Sequence, residues 1–374
     1  MAPLRSTLGR SFGNLLRVGR NRDLAGTGSG GAARDSQLNS RYYGARSEAV
    51  EHAVPIDATG GNVEFPLGDY TYHLFRAPGT FTVSDGPPTA ECEVVVAGGG
   101  GSAGYFYGDG GGAGGVLHAT AYPLVPGPYT IAIGEGGASP PLTNNPGNVG
   151  TASEFYPTPV GPGEGASNMY GRGGGGGGLK QAEPHPAPTS GFPWNPVSGT
   201  GSGGGQHNGS TPEVTPNFPT STQHPAVSNK YGGRGGDMPY YDSGGSGGSG
   251  AGGGGETPGA VNAAYGGAGQ PFSNFPGPGM YDAMPAPEQT AWGGTTWRDT
   301  LTSSGYIAGG GGGWNPPPAT PRSPGGGGVG NNTSPQADVD AINYTGSGGG
   351  AYSPTGPGVG ADGLVWIRYL TSAG

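Results

Sequence analysis

The chain has 374 residues, of which 88 are glycine and 39 proline, with charged residues at 11% and a formal net charge of −9. That much glycine and proline excludes an ordinary mixed α/β composition, and the lack of a strict three-residue glycine period excludes collagen. Low net charge and 34 aromatic residues (5 Trp, 19 Tyr, 10 Phe) argue against a plain disordered tail, which is highly charged and aromatic-poor.

Charge divides the chain. Residues 1–46 carry eight arginines against Asp23 and Asp35, a balance of +6, whereas the remainder is acidic. In the opening MAPLRSTLGRSFGNLLRVGR, Leu4, Leu8, Phe12, Leu15 and Leu16 recur at three- and four-residue spacing, the pattern of one helical face. Arg5, Arg10, Arg17 and Arg20 are interspersed with these residues, Arg10, Arg17 and Arg20 off the stripe. An amphipathic, arginine-rich helix of this kind is open to three uses: a mitochondrial presequence, a membrane-surface helix, or an anchor that docks into another protein. A small, polar connector follows, so residues 1–60 are read as an arm and 61–374 as a separate body.

From Val63 the pattern becomes that of strands. In NVEFPLGDYTYHLFRAPGTFTVS (62–84), Tyr70, Tyr72 and Leu74 share one face, and Phe81 and Val83 continue after an Ala-Pro-Gly turn. AECEVVVAGGGG (90–101) is a strand running straight into glycines; Glu91 and Glu93 alternate within it, share one face and read as solvent-facing. Further strands are expected at Val116–Ala121 and Tyr129–Ile133 about a Pro-Gly turn, and the apolar GLVWIRYL (363–370) closes the sheet after a long excursion. With aliphatic residues confined to such short stretches, no large hydrophobic core is expected. The fold class expected is mainly β: a small sheet or sandwich with strands within 63–135 and 363–370, and a glycine-rich insertion over 136–362.

That insertion holds GGGGGG at 173–178, GGGG at 252–255, GGGGG at 309–313, GGGG at 325–328 and GGG at 348–350. Ordering glycine costs conformational entropy. A bundle of polyproline-II-like extended helices, in this case polyglycine II, offsets that cost: without Cβ atoms, neighbouring helices approach closely and bond laterally. The alternative is a flexible linker.

EVVVAGGGGSAG (93–104), GGAGGVLHA (111–119), PGPYTIAIGEGGA (126–138), the interrupted glycine tracts and DGLVWIRYL (362–370) together resemble a glycine-rich domain of tail-fibre and other virion proteins of tailed bacteriophages. The resemblance spans about 70–370, and long proline-rich inserts such as HPAPTSGFPWNPVS (185–198) depart from it. It implies a virion structural protein on the particle exterior, a tail fibre or spike-like adhesin, with homotrimerisation as the default state. The arm residues named above would then dock to other virion proteins. A non-binding capsid or tail decoration protein is the alternative, and a secreted glycine-rich wall or matrix protein a second.

Bulky residues sit between the glycine tracts: Phe192 and Trp194, Tyr240 and Tyr241, Tyr281, Trp292, Trp297 and Trp314. Rigid aromatics on loops of a stiff scaffold suit recognition of a host glycan or outer-membrane protein. They equally suit packing against the bundle or a neighbouring subunit.

Other chemistry is not indicated. One cysteine, Cys92, makes no disulfide or cysteine zinc site, and six scattered histidines lack ligand spacing. Neither Lys180 nor Lys230 completes a phosphate loop, and no nucleophile elbow stands on a strand–helix frame. The acidic body disfavours nucleic acid, and no apolar run is long enough to insert in a membrane. The chain is read as a non-enzyme without metal or cofactor.

Overall fold

The computed structural model describes residues 56–87, 90–105, 108–141, 145–158, 162, 168–178, 202, 206–207, 225–227, 229–233, 237–238, 246–255, 265–314, 321–330, 335–351 and 356–371. The amphipathic stretch that opens the chain, read above as a helical arm, lies outside the described residues.

Thirteen strands are described: β1 (Asp57–Thr59), β2 (Val63–Leu67), β3 (Tyr70–Phe75), β4 (Gly79–Asp85), β5 (Glu91–Ala97), β6 (Val116–Pro123), β7 (Gly127–Ala132), β8 (Ser153–Pro157), β9 (Met169–Gly171), β10 (Gln206–His207), β11 (Asn229–Tyr231), β12 (Asp237–Met238) and β13 (Leu364–Leu370). They form an antiparallel five-stranded sheet, β1-β4-β7-β8-β9, an antiparallel six-stranded sheet, β11-β6-β5-β13-β3-β2, and a parallel β10-β12 pair. The closing strand does what its apolar sequence foretells. β13 lies between β3 and β5, with Trp366 opposite both Leu74 and Val95.

Such a central position needs apolar side chains on both faces. Val365, Ile367 and Tyr369 of β13 join Val94, Val96, Phe75, Phe81, Val83, Tyr129, Ile131 and Phe155 in a core shared by the two large sheets. Leu364 and Trp366 point the other way, with Val95, Leu74 and Tyr72, into a second core. Two substantial cores therefore replace the small one expected from composition. Strands from distant segments stack their sparse apolar residues on common faces.

The second core is covered by helices that the sequence reading treated as loops, α1 (Gly277–Ala283), α2 (Ala286–Ala291) and α3 (Gly294–Leu301); a short α4 (Gln336–Val339) lies further along the chain. Pro276 and Pro285 are the N-caps of α1 and α2, with a further proline in each first turn. Proline suits that position, where its missing N–H is not needed. Met280, Met284, Trp292, Trp297 and Leu301 pack from this layer onto the sheet.

Glycine runs leave the strand ends and bond laterally. After β5, Gly99 and Ser102 donate to Thr151 and Asn148, Gly100 and Ala103 to Ala361 and Gly358, and Gly101 and Gly104 to Gly112 and Asp109. Every third N–H thus reaches the same neighbouring run. The same residues accept from three other runs: Gly137 donates to Gly100, Gly174 and Gly177 to Gly99 and Ser102, and Gly349 to Gly101. The run 98–104 therefore has six bonded neighbours. In run 108–115 the pattern repeats, with Gly110 and Ala113 donating to Ser246 and Ser249, and Gly111 and Gly114 to Gly349 and Gly346.

Close approach explains the residue type. A Cβ built on Gly100 would land on the Ser347 carbonyl oxygen, and one on Gly101 on that of Gly175. Where the pattern breaks, short polar side chains complete it. Ser153 Oγ accepts from Gly134 N at 2.9 Å, Asp362 Oδ1 from Gly136 N at 2.8 Å, and Ser102 Oγ from Asn148 N at 2.7 Å.

Bonds also tie together the ends of the runs remote from the sheets. Asp109 N donates to Gly178 O, Tyr105 N to Asn145 O, Gly110 N to Ser246 O and Trp314 N to Gly108 O. The excursions after 104, 141, 178 and 313, and the one before 246, therefore leave or re-enter the bundle at one end, here called the distal end.

Candidate functional site

A buried polar cluster lies on the helix-covered face of the six-stranded sheet. Alternation along β5 puts Glu93 on the same face as Val95, and pairing with β6 and β13 brings His118 and Arg368 beside it. Glu93 Oε1 accepts from His118 Nε2 at 2.8 Å, and Oε2 accepts from Arg368 Nε at 2.8 Å. The Asn274 amide donates to both oxygens, at 3.2 and 2.9 Å, from the segment leading into α1. Tyr72 donates from its hydroxyl to Asn274 O at 2.8 Å, and the Arg368 guanidinium lies over the Tyr70 ring at 4.1 Å.

Glu93 is buried, which corrects the sequence reading that placed it in solvent with Glu91. Only Glu91 is exposed. Burial alone would raise the Glu93 carboxyl, but hydrogen bonds from His118 and Arg368, with their charges, outweigh it and hold the group below the usual carboxylate range. Both of its oxygens are occupied, so the cluster works as a lock between sheet and helical layer. Breaking such a buried pair costs about 3–5 kcal/mol, because an uncompensated charge stays behind.

A second buried polar group, His73, sits in the core between the sheets. Its Nδ1 donates to Gly60 O at 2.6 Å and its Nε2 accepts from the Tyr369 hydroxyl at 3.0 Å. That pairing needs a neutral ring, and burial lowers the His73 pKa despite opposing contributions from the Gly60 carbonyl and Glu64. Cys92 is also buried there, its thiol pushed well up by burial and by Glu93 and Glu91, which leaves it unreactive. No group of three His, Cys, Asp or Glu suited to a metal ion occurs among the described residues.

The residues singled out in the sequence are scattered. Leu4, Arg5, Leu8, Arg10, Phe12, Leu15, Leu16, Arg17 and Arg20 lie outside the described residues, as do Trp194, Tyr240 and Tyr241. Trp292 and Trp297 are fully buried in the helical layer, their rings 5.1 Å apart, and Trp297 Nε1 donates to Tyr344 O. In that position the indoles pack rather than face solvent. Tyr281 is half-buried against the same core, with Arg298 over its ring. Trp314 alone of these four stands at the distal end, bonded through its backbone to Gly108. Of the lock residues, Glu93 was read as solvent-facing, and His118, Asn274 and Arg368 were not singled out. The one available signal was an unpaired acid inside an otherwise apolar strand, matched by one arginine in GLVWIRYL.

Paired antiparallel sheets, a helical cover and a laterally bonded glycine bundle define a glycine-rich β protein. A family model described as glycine-rich domain matches residues 76–281, more than half the chain, and the chain belongs to that family. The match begins after β3 and ends within α1, so the central strand β13 lies beyond it. No curated protein matches the chain.

Proposed function

We propose that this chain is a virion structural protein, a tail-fibre or spike-like adhesin that docks to the particle through residues 1–60 and presents the distal end of its glycine bundle to a host surface. The observation that carries this reading is the gathering of run ends at 104–109, 145, 178, 246 and 314. The proposed contact residues Trp194, Tyr240 and Tyr241 fall between Gly178 and Ser246 in the sequence, two residues that sit at that end. Loops held on a stiff scaffold are where binding residues collect.

The scaffold in this reading is a polyglycine-II-type lattice. Its support is the three-residue period of donors and the six neighbours of run 98–104. At ~3.1 Å per residue such a run projects its end roughly 20 Å from the sheets. The partners proposed are other virion proteins at the arm, two further copies of the chain in a trimer, and a surface glycan or outer-membrane protein of the host. No catalysis, cofactor, nucleic acid or membrane insertion is assigned.

A non-binding decoration role is the second reading, favoured by the burial of Trp292 and Trp297. One experiment separates the two. Antibody to the chain would locate it on purified particles by cryo-electron microscopy, and purified full-length chain would compete with particles for host cells. Label at the tail with blocked adsorption supports the adhesin. Label over the capsid with unaltered adsorption supports decoration, and particles free of the chain overturn both.

A further inference from the structure

Asp109 is an anomaly in the bundle: a fully buried carboxyl among glycines at the distal end. Its Oδ1 accepts from Ser246 N at 2.6 Å and from Ser246 Oγ at 2.8 Å, while its Oδ2 has no partner among the described residues. Its backbone is fully engaged, accepting from Gly104 N and donating to Gly178 O. The side chain thus joins the first described residue after the 234–245 insert to the run that follows the distal turn.

We propose that Asp109 is a proton-operated latch: uncharged, it holds the start of run 246–251 against run 108–115, and ionised, it loosens that end of the bundle. The groups facing it leave a negative charge uncompensated. Runs 98–104 and 172–178 present only backbone to it, at Gly104, Gly177 and Gly178, and run 246–251 presents Ser246. Among the described residues only the two Ser246 hydrogen bonds oppose the effect of burial, and no cation faces the carboxyl. An unpaired charge in such a place is far costlier than a neutral acid.

Burial accordingly raises the carboxyl from its ordinary 3.8 to about 7, against the Ser246 bonds. The sign follows by linkage. Between those values the folded form binds more protons than the unfolded form, so stability is highest in acid and falls as pH rises toward neutrality. Three units correspond to about a thousandfold in the holding equilibrium. His73 titrates in the opposite sense, since its lowered pKa removes stability as pH falls, so the wild-type profile alone is not diagnostic. The inference is independent of any role on a virion.

The test compares full-length wild type with Asp109→Asn by thermal melting and by amide exchange, corrected for intrinsic rates, over about pH 5–8. The variant should melt above wild type at the alkaline end, with the gap closing in acid. Protection of amides 246–251 should fall with pH in wild type only, while amides 134–141 show no such difference. A gap independent of pH overturns the proposal, as does loss of protection spread evenly over the bundle. Should Asp109→Asn not fold, Ser246→Ala serves instead. Loss of the hydroxyl donor should move the wild-type midpoint to higher pH, and an unmoved midpoint overturns the latch.

Discussion

In the paired sheets, β5 and β13 bury valine, isoleucine and tryptophan side chains on both faces; in the bundle, run 98–104 is equally buried yet carries side chains only at Ser102 and Ala103. The sheets draw on apolar burial, at about 1.5–3 kcal/mol for a fully buried valine or larger side chain. The bundle draws on backbone hydrogen bonds, each a net 0.5–1.5 kcal/mol or so, against the large conformational entropy of glycine. A sheet core therefore suffers mainly when atoms are removed, whereas the bundle suffers when atoms are added.

The sharpest way to break that contrast is Gly100→Val. Its Cβ would meet the Ser347 carbonyl in the run with six neighbours. Neither backbone can yield without losing bonds to other runs, so we expect a loss above roughly 5 kcal/mol, enough to prevent folding. Soluble expression and melting check this, and a folded variant with a wild-type melting curve would refute the account of the bundle.

Next in size is Trp366→Ala in the sheet core. Trp366 is fully buried, stacked 5.4 Å from Phe275 and edge-on to Trp297. Truncation should cost about 3–5 kcal/mol, measured by denaturant titration, with the fold retained. The smallest effect is expected for Gly253→Ala at the rim, where the nearest atom to the new carbon is Ala268 N at 3.6 Å. A change within about 0.5 kcal/mol is expected. Equal penalties for Gly100→Val and Gly253→Ala would erase the distinction between lattice interior and rim.

Much of the sheet was legible. Alternation located β3, β4, β5, β6 and β7, and the apolar GLVWIRYL marked β13, because a strand buried on both faces must be apolar throughout. The strands β8, β9 and β11 were not found; each is short and flanked by glycine or polar residues. The helices α1–α3 were read as loops because they lie between glycine tracts; the signals missed were Pro276 and Pro285, which cap α1 and α2. Glu93 was misassigned for a different reason: Arg368, which makes it tolerable in the interior, lies 275 residues away along the chain.

Local pattern in the sequence thus determined that this chain is mainly β, that a late apolar strand returns to the first sheet, and that its glycines permit close backbone approach. Only the tertiary structure decided which runs neighbour which, why Glu93 is a buried lock and Asp109 a buried acid, and that Trp292 and Trp297 belong to a core. A glycine run specifies no register of its own, having no side chains to match. Its neighbours are fixed by where the strands at its ends are anchored, and that depends on pairings across the whole chain.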